Sequence, residues 1–328
     1  DVYKRQLWSS PLTWMEMFND LLSFPEIREN YQFWFYMYPT GQPFWISANQ
    51  MRKDLVELRQ TLDPMRQNPT FDQMVVVGHS MGGLVSTMQT LDSGNDFWNI
   101  LSERPFQELE ADPEVRNEVA STVFFEPNPS IRRLITIGTP HRGSKFANDY
   151  TRFLAHKFIK LPSRVLWVTQ QLRMQNPGFF RDTDLMTIST SIDSLSPDSP
   201  ILPVMLEAQK SNVTQYHNVV GVVEEKSWLG KWTAEGDGVV SYASATRPDF
   251  STEVVVDADH VSVHAHPRSI LEVRRILLDH LAQLRWQPPG APIASGGYPS
   301  DPADTARPGP PSGTANQDNG RYPLNIPR

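Results

Sequence analysis

The chain has 328 residues, 30 Lys and Arg against 37 Asp and Glu, and a formal net charge of −7. No Lys/Arg-rich block stands in it, which weighs against a nucleic-acid partner, and the absence of cysteine excludes disulfides, thiolate zinc sites and cysteine nucleophiles. No apolar run approaches the roughly 20 residues that cross a bilayer, and the length suits one large α/β domain followed by a tail.

In chain order, the polar hexamer Asp1-Val2-Tyr3-Lys4-Arg5-Gln6 joins abruptly to Leu7-Trp8-Ser9-Ser10-Pro11. It resembles translated adapter sequence and is expected to be a non-native leader on a fragment. The aromatic run Tyr31 to Tyr38, stopped by Pro39-Thr40-Gly41, predicts a buried strand and turn. Ser47 is the expected cap of a helix carrying Met51, Leu55, Leu58 and Leu62 at helical spacing, ended by Pro64. The run Met74-Val75-Val76-Val77 predicts the next strand, and Leu84, Val85, Met88 and Leu91 share one face of the following helix.

Between them lies Gly78-His79-Ser80-Met81-Gly82-Gly83. A strand, a Gly-x-Ser-x-Gly turn and a helix form a nucleophile elbow, in which the serine sits on a strained backbone. Gly78 and Gly82 are expected where a side chain would collide with the neighbouring strand or helix. Ser80 is the candidate nucleophile and the Met81 N–H a candidate oxyanion donor. A glycine-rich turn without chemistry is the competing reading, and the missing Lys-Ser/Thr ending disfavours a phosphate loop.

Residues 93–130 read as an irregular excursion with short helices. Ile131 to Ile137 predicts a strand entering Gly138-Thr139-Pro140-His141-Arg142-Gly143-Ser144. His141 is expected at the pocket mouth, with Arg142 and Ser144 holding the loop. Residues 145–212, with Phe153, Phe158, Trp167, Phe179 and Phe180, predict a helical cap insertion. Val219–Val223 and Glu253–Val256 are the last expected strands, and Pro267–Leu284 the terminal helix. The alternation implies a mostly parallel sheet with helices on both faces, an α/β class. Residues 287–328 hold ten Pro and six Gly and predict a disordered tail.

A serine nucleophile needs a general base and an acid that fixes the tautomer of that base. In Glu235-Gly236-Asp237-Gly238, Asp237 is the best acid, a turn-forming aspartate being the alternative. The loop Asp257 to His266 offers three histidines. His260 comes first after the strand and is the preferred base, His264 is its competitor, and His266 before Pro267 suits a cap. An Asp-His-x3-His metal site is a weaker reading without further ligands. His79, inside the elbow, fits support beneath the site.

With Gly78–Gly83, Gly138–Ser144, Gly236–Val240 and Asp259-His260, the chain resembles the lipase/esterase branch of the α/β-hydrolase superfamily over about residues 7–286, and looks similar to the glycosylphosphatidylinositol-deacylase-type and related bacterial serine esterases. The resemblance implies the α/β-hydrolase fold, and Leu7 or Trp8 as the second oxyanion amide. It departs from the family where a strand ending in His-Gly should precede Leu7. The expected activity is cleavage of carboxylic esters through Ser80, Asp237 and His260, without cofactor or metal. The substrate expected is an ester or lipid, with a membrane surface open as a partner. An amidase or acyltransferase using the same triad, and a non-catalytic interaction protein on the same fold, are the alternatives. Compartment and oligomeric state are not assigned by the sequence.

Overall fold

A computed structural model describes residues 11–39, 41–144, 163–181, 191–223 and 236–285. All of these belong to the first of two compact units, Asp1–Gly297. The expected leader, Leu7, Trp8 and the tail at 287–328 lie outside the described residues, as do 145–162 and 182–190 of the expected cap.

Six strands are present among the described residues: β1 (Met74–His79), β2 (Leu91–Asp92), β3 (Ile131–Ile137), β4 (Gln209–Lys210), β5 (Gln215–Val222) and β6 (Thr252–Asp257). Four form one parallel sheet in the order β1-β3-β5-β6, and β2 and β4 form a small antiparallel pair. The register Val77↔Ile135, Ile137↔Val219 and Val222↔Asp257 brings the carboxyl ends of the four strands to one edge, the edge where open α/β sheets gather their ligands.

Parallel strands need crossovers, which helices supply. They are α1 (Met15–Leu22), α2 (Pro25–Arg28), α3 (Phe44–Leu62), α4 (Met81–Thr87), α5 (Asp96–Leu101), α6 (Pro113–Val123), α7 (Ser163–Gln175), α8 (Ser191–Ser194), α9 (Ile201–Glu207), α10 (Tyr242–Ala245) and α11 (Pro267–Arg285). Side chains alternate across a strand, so the sheet carries a core on each face. On one face Ile135, Ile137, Val219 and Val256 pack with Met17 of α1 and with Ile270, Val273, Ile276 and Leu277 of α11. On the other, Leu84, Val85 and Met88 join α3, α5 and α9. The apolar stripe of α11 starts at Pro267, whose missing N–H costs nothing in a first turn, and its outer side carries Arg275 paired with Glu272 and Asp279. No described helix is long and apolar enough to cross a membrane.

Three expectations are corrected. Residues 31–39 form no strand, and Trp34, Phe35 and Met37 are 57%, 41% and 61% exposed. A strand is defined by its ladder, and among the described residues β1, at the edge of the sheet, pairs only with β3. Helix α3 begins at Phe44 rather than Ser47; Ser47 is buried inside it, where its hydroxyl accepts from Gln42 at 3.1 Å. Strand β5 begins at Gln215 rather than Val219, because Asn218 is buried in a polar network that hydropathy does not reveal: it donates to Ala245 O and to the Glu253 carboxylate and accepts from Thr136.

Candidate active site

Ser80 stands between β1 and α4 with φ 55° and ψ −130°. A non-glycine residue at positive φ is strained unless its surroundings hold it. Here its N–H donates to Ile137 O at 2.9 Å and its carbonyl accepts from Gly83 N at 2.9 Å, so both sides of the turn are tied. The tight approach of strand and helix depends on glycine. A Cβ on Gly78 would lie 2.5 Å from Gly82 O, and one on Gly83 would lie 1.9 Å from Thr139 Oγ1. Gly82 does not behave as expected: among the described residues outside its own helix, a Cβ there would meet only the Tyr38 hydroxyl, at 3.4 Å, an ordinary contact. Gly83 is therefore the second glycine that packing demands, and it binds the elbow to the Gly-Thr-Pro-His segment.

Asp237 is carried on the loop after β5, closed by Val223 N to Gly236 O and Asp237 N to Val240 O. Only 2% exposed, it divides its carboxylate. Oδ1 accepts from the backbone N–H groups of Val239 at 3.0 Å and Val240 at 2.7 Å, while Oδ2 lies 2.7 Å from His260 Nδ1. The turn-forming aspartate and the partner of the histidine are thus one residue. On the far side of the ring, His260 Nε2 lies 2.8 Å from Ser80 Oγ. An ionised carboxylate is acceptor only, so beside Asp237 Oδ2 the ring proton stands on Nδ1, Nε2 is bare, and the serine hydroxyl donates to it. The His260 backbone also donates to Asp237 O at 3.0 Å, which couples the two loops twice.

The remaining histidines stand elsewhere. His264 donates from Nε2 to Thr13 O at 3.0 Å, and its Nδ1 is buried with no partner among the described residues. His79 donates from Nε2 to the His260 carbonyl at 2.9 Å, with its ring 5.0 Å from that of His260 and 4.7 Å from that of His264. Burial holds the His79 imidazole well below its ordinary range, with His260 and His264 adding to the effect, and burial also lowers His264. His266 accepts from Arg268 N at 3.2 Å at the start of α11. His141 is not at a pocket mouth: it is 2% exposed, packed against Phe250, and kept neutral by burial.

The Gly138–Ser144 segment ties the elbow to the loop of Asp237. Arg142 donates to Ala243 O and Thr246 O, and Ser144 to the carbonyl of Val239, whose own N–H is one of the two backbone donors to Asp237. Gly138, at φ 54°, would place a Cβ 3.3 Å from Asp237 Oδ2, and Gly221 would place one 2.9 Å from Asp237 Cβ. These two glycines make room for the Asp237–His260 pair. Gly221 is readable in the sequence only as a lone glycine inside Val219-Val220-Gly221-Val222-Val223. Met81 opens α4, so its N–H has no acceptor within the helix; Leu7 and Trp8 lie outside the described residues.

A model of the alpha/beta hydrolase family matches residues 39–273. Among solved structures the chain is similar to a Bacillus licheniformis lipase in its mature form, at 18% identity over 74% of this chain and 76% of that one, with a TM-score of 0.38. A metagenomic carboxyl esterase is similar at 15% identity over 73% and 64%, with a TM-score of 0.36. The Staphylococcus hyicus lipase follows at 14% identity over 65% and 70%, also at 0.36. No curated protein matches the chain.

Proposed function

Because the chain belongs to the alpha/beta hydrolase family, we propose that it cleaves carboxylic esters with Ser80 as nucleophile, His260 as general base and acid, and Asp237 as the group that orients the imidazole. The observation that carries this reading is the unbroken line from Asp237 Oδ2 through Nδ1 and Nε2 of His260 to Ser80 Oγ, at 2.7 Å and 2.8 Å. Ser80 Oγ attacks the acyl carbon as Nε2 takes the hydroxyl proton, and the carbonyl electron pair moves onto oxygen, where the Met81 N–H donates to it. Asp237 stabilises the imidazolium without itself becoming protonated. Collapse breaks the bond to the alkoxy group, which leaves with the proton from Nε2. Water then attacks the acyl-enzyme, Nε2 takes its proton and returns it to Ser80, and the carboxylic acid departs. Ester plus water gives acid plus alcohol, with no cofactor in the balance.

The proposed catalytic domain is 7–286, with 145–212 as its cap and 287–328 as a tail. A lipid-like acyl group is favoured by the aromatic character of the cap segment, where Trp167 is 49% exposed, since exposed indole suits apolar ligands. Amide cleavage or acyl transfer would use the same three groups.

Treatment with a fluorophosphonate followed by intact mass tests the triad. One adduct is expected, absent from Ser80→Ala and His260→Ala. Ser80→Ala that keeps full turnover of p-nitrophenyl esters refutes the role of Ser80, and a folded wild-type chain that neither takes up label nor turns over the esters leaves a non-catalytic interaction protein as the reading.

A further inference from the structure

The mechanism above gives no part to the imidazole inside the elbow. His79 is the last residue of β1, stands in register with Ile137 of β3, and is followed directly by Ser80. Its Nε2 lies 2.9 Å from the carbonyl of His260. A carbonyl oxygen only accepts, so the ring proton stands on Nε2 and His79 is the donor. Burial, with His260 and His264 beside it, keeps the ring neutral, so it has this one proton and no other. The rings of His260 and His264 pack against it at 5.0 Å and 4.7 Å.

What His79 holds is the backbone of the residue proposed as the base. The N–H of His260 donates to Asp237 O at 3.0 Å, and its carbonyl accepts from His79. These two groups lie in the two peptide planes that meet at the His260 Cα, so fixing both fixes the direction in which Cβ and the ring leave the chain. The ring must then satisfy Asp237 Oδ2 at 2.7 Å and Ser80 Oγ at 2.8 Å together. His260 stands on the loop after β6, whereas His79 belongs to a strand paired into the sheet, and a strand places a group more precisely than a loop does. Because His79 is bonded to Ser80 through the chain, an anchor on it transmits the position of the nucleophile directly to the base.

We propose that His79 is a positioning residue for the hydrolysis: by donating from Nε2 to the His260 carbonyl, it sets the distance and line of approach between His260 Nε2 and Ser80 Oγ. The proposal rests on the triad reading above; His79 itself touches no reacting atom and moves no proton.

The test varies the reach of the donor at constant charge. The amide nitrogen of glutamine overlies Nε2 of histidine and that of asparagine overlies Nδ1, so His79→Gln still reaches the His260 carbonyl, His79→Asn falls short, and His79→Phe has no donor. With p-nitrophenyl butyrate, kcat of His79→Asn and His79→Phe is expected to fall about a hundredfold at nearly unchanged KM, the loss that a misplacement of about 1 Å brings. The rate of fluorophosphonate labelling at Ser80 should fall with it, and His79→Gln should keep most of both. Equal kcat in His79→Gln and His79→Asn, whether both high or both low, overturns the proposal, as does a loss confined to KM. Thermal melts accompany each variant. Where one of His79→Asn and His79→Phe fails to fold, the other is decided against His79→Gln; failure of both assigns His79 to folding and also overturns the proposal. Failure of the underlying reading is recognised separately. In that case the wild type neither turns over the ester nor labels at Ser80, whereas Ser80-dependent turnover indifferent to the donor on His79 sinks the positioning role alone.

Discussion

Asp237→Asn gives the sharpest test of how the site is armed, because the structure dictates which way the amide must face. Oδ1 of Asp237 accepts from two backbone N–H groups, at 3.0 Å and 2.7 Å. Turning an NH2 group toward them would set donor against donor in a site that is 2% exposed, leaving buried groups unsatisfied at about 1–3 kcal/mol each. The amide oxygen therefore takes the Oδ1 position and the NH2 takes that of Oδ2, 2.7 Å from His260 Nδ1. It donates, so Nδ1 must accept, the ring proton moves to Nε2, and the nitrogen facing Ser80 can no longer take a proton. An inverted tautomer costs roughly ten-thousand-fold in kcat in the worked serine-protease case, about 5.5 kcal/mol of transition-state stabilisation. Every hydrogen bond survives with its direction adjusted, so folding should lose only about 1–2 kcal/mol as charge-assisted bonds become neutral ones. The measurements are kcat on a p-nitrophenyl ester and a thermal melt on the same preparation. A folded Asp237→Asn enzyme that loses less than tenfold in kcat would refute the tautomer argument.

Three further outcomes follow from the geometry. Gly83→Ala drives a methyl group to 1.9 Å from Thr139 Oγ1 and should cost about 1–3 kcal/mol as overpacking; Thr139→Ala in the same chain should restore part of it, and a melt showing purely additive losses would argue against the contact. Ser80→Gly should be more stable than Ser80→Ala by roughly 1 kcal/mol, reversing the usual order, because φ 55° suits only glycine without strain; denaturant titration showing the alanine variant ahead would mean the elbow is not strained. His217 and His280 are each held down to about 4 by burial from an ordinary 6.5. The unfolded chain therefore binds protons that the folded chain refuses between those values, so stability falls as pH drops from about 6.5 to 4 and levels off below. His217→Gln should flatten that slope by up to one proton, and an unchanged slope in urea titrations would contradict it.

Where the sequence was legible, one interaction type dominated. The strands β1, β3 and β6 and the helix α11 show as apolar runs in the sequence. Ser80, Asp237 and His260, which the structure joins in one line with His260 between the other two, stand out because glycines flank two of them and the third follows the last strand. The aromatic run at 31–38 misleads because apolarity marks a segment fit for a ladder without supplying a partner. Asn218 hides β5 because its satisfaction lies in Thr136 and Glu253, and His141 reads as a mouth residue because burial of an imidazole leaves no local signature. The roles of Gly82 and Gly83 cannot be separated along the chain at all, since what each approaches, Tyr38 or Thr139, is distant in sequence.

The row of three imidazoles also bears on when the protein becomes competent. It runs from the Thr13 carbonyl through His264 and His79 to the carbonyl of His260, and one of its bonds spans 251 residues of chain. Contacts at such separation form late, after loop-closure entropy has been met by nearer ones. During synthesis the residues around Ser80 are made 180 positions before His260, the base of the proposed triad. On the reading proposed above, the nascent chain would carry an inert serine until the loop of His260 has been made and has folded against the elbow, which would make activity itself a reporter of completed folding.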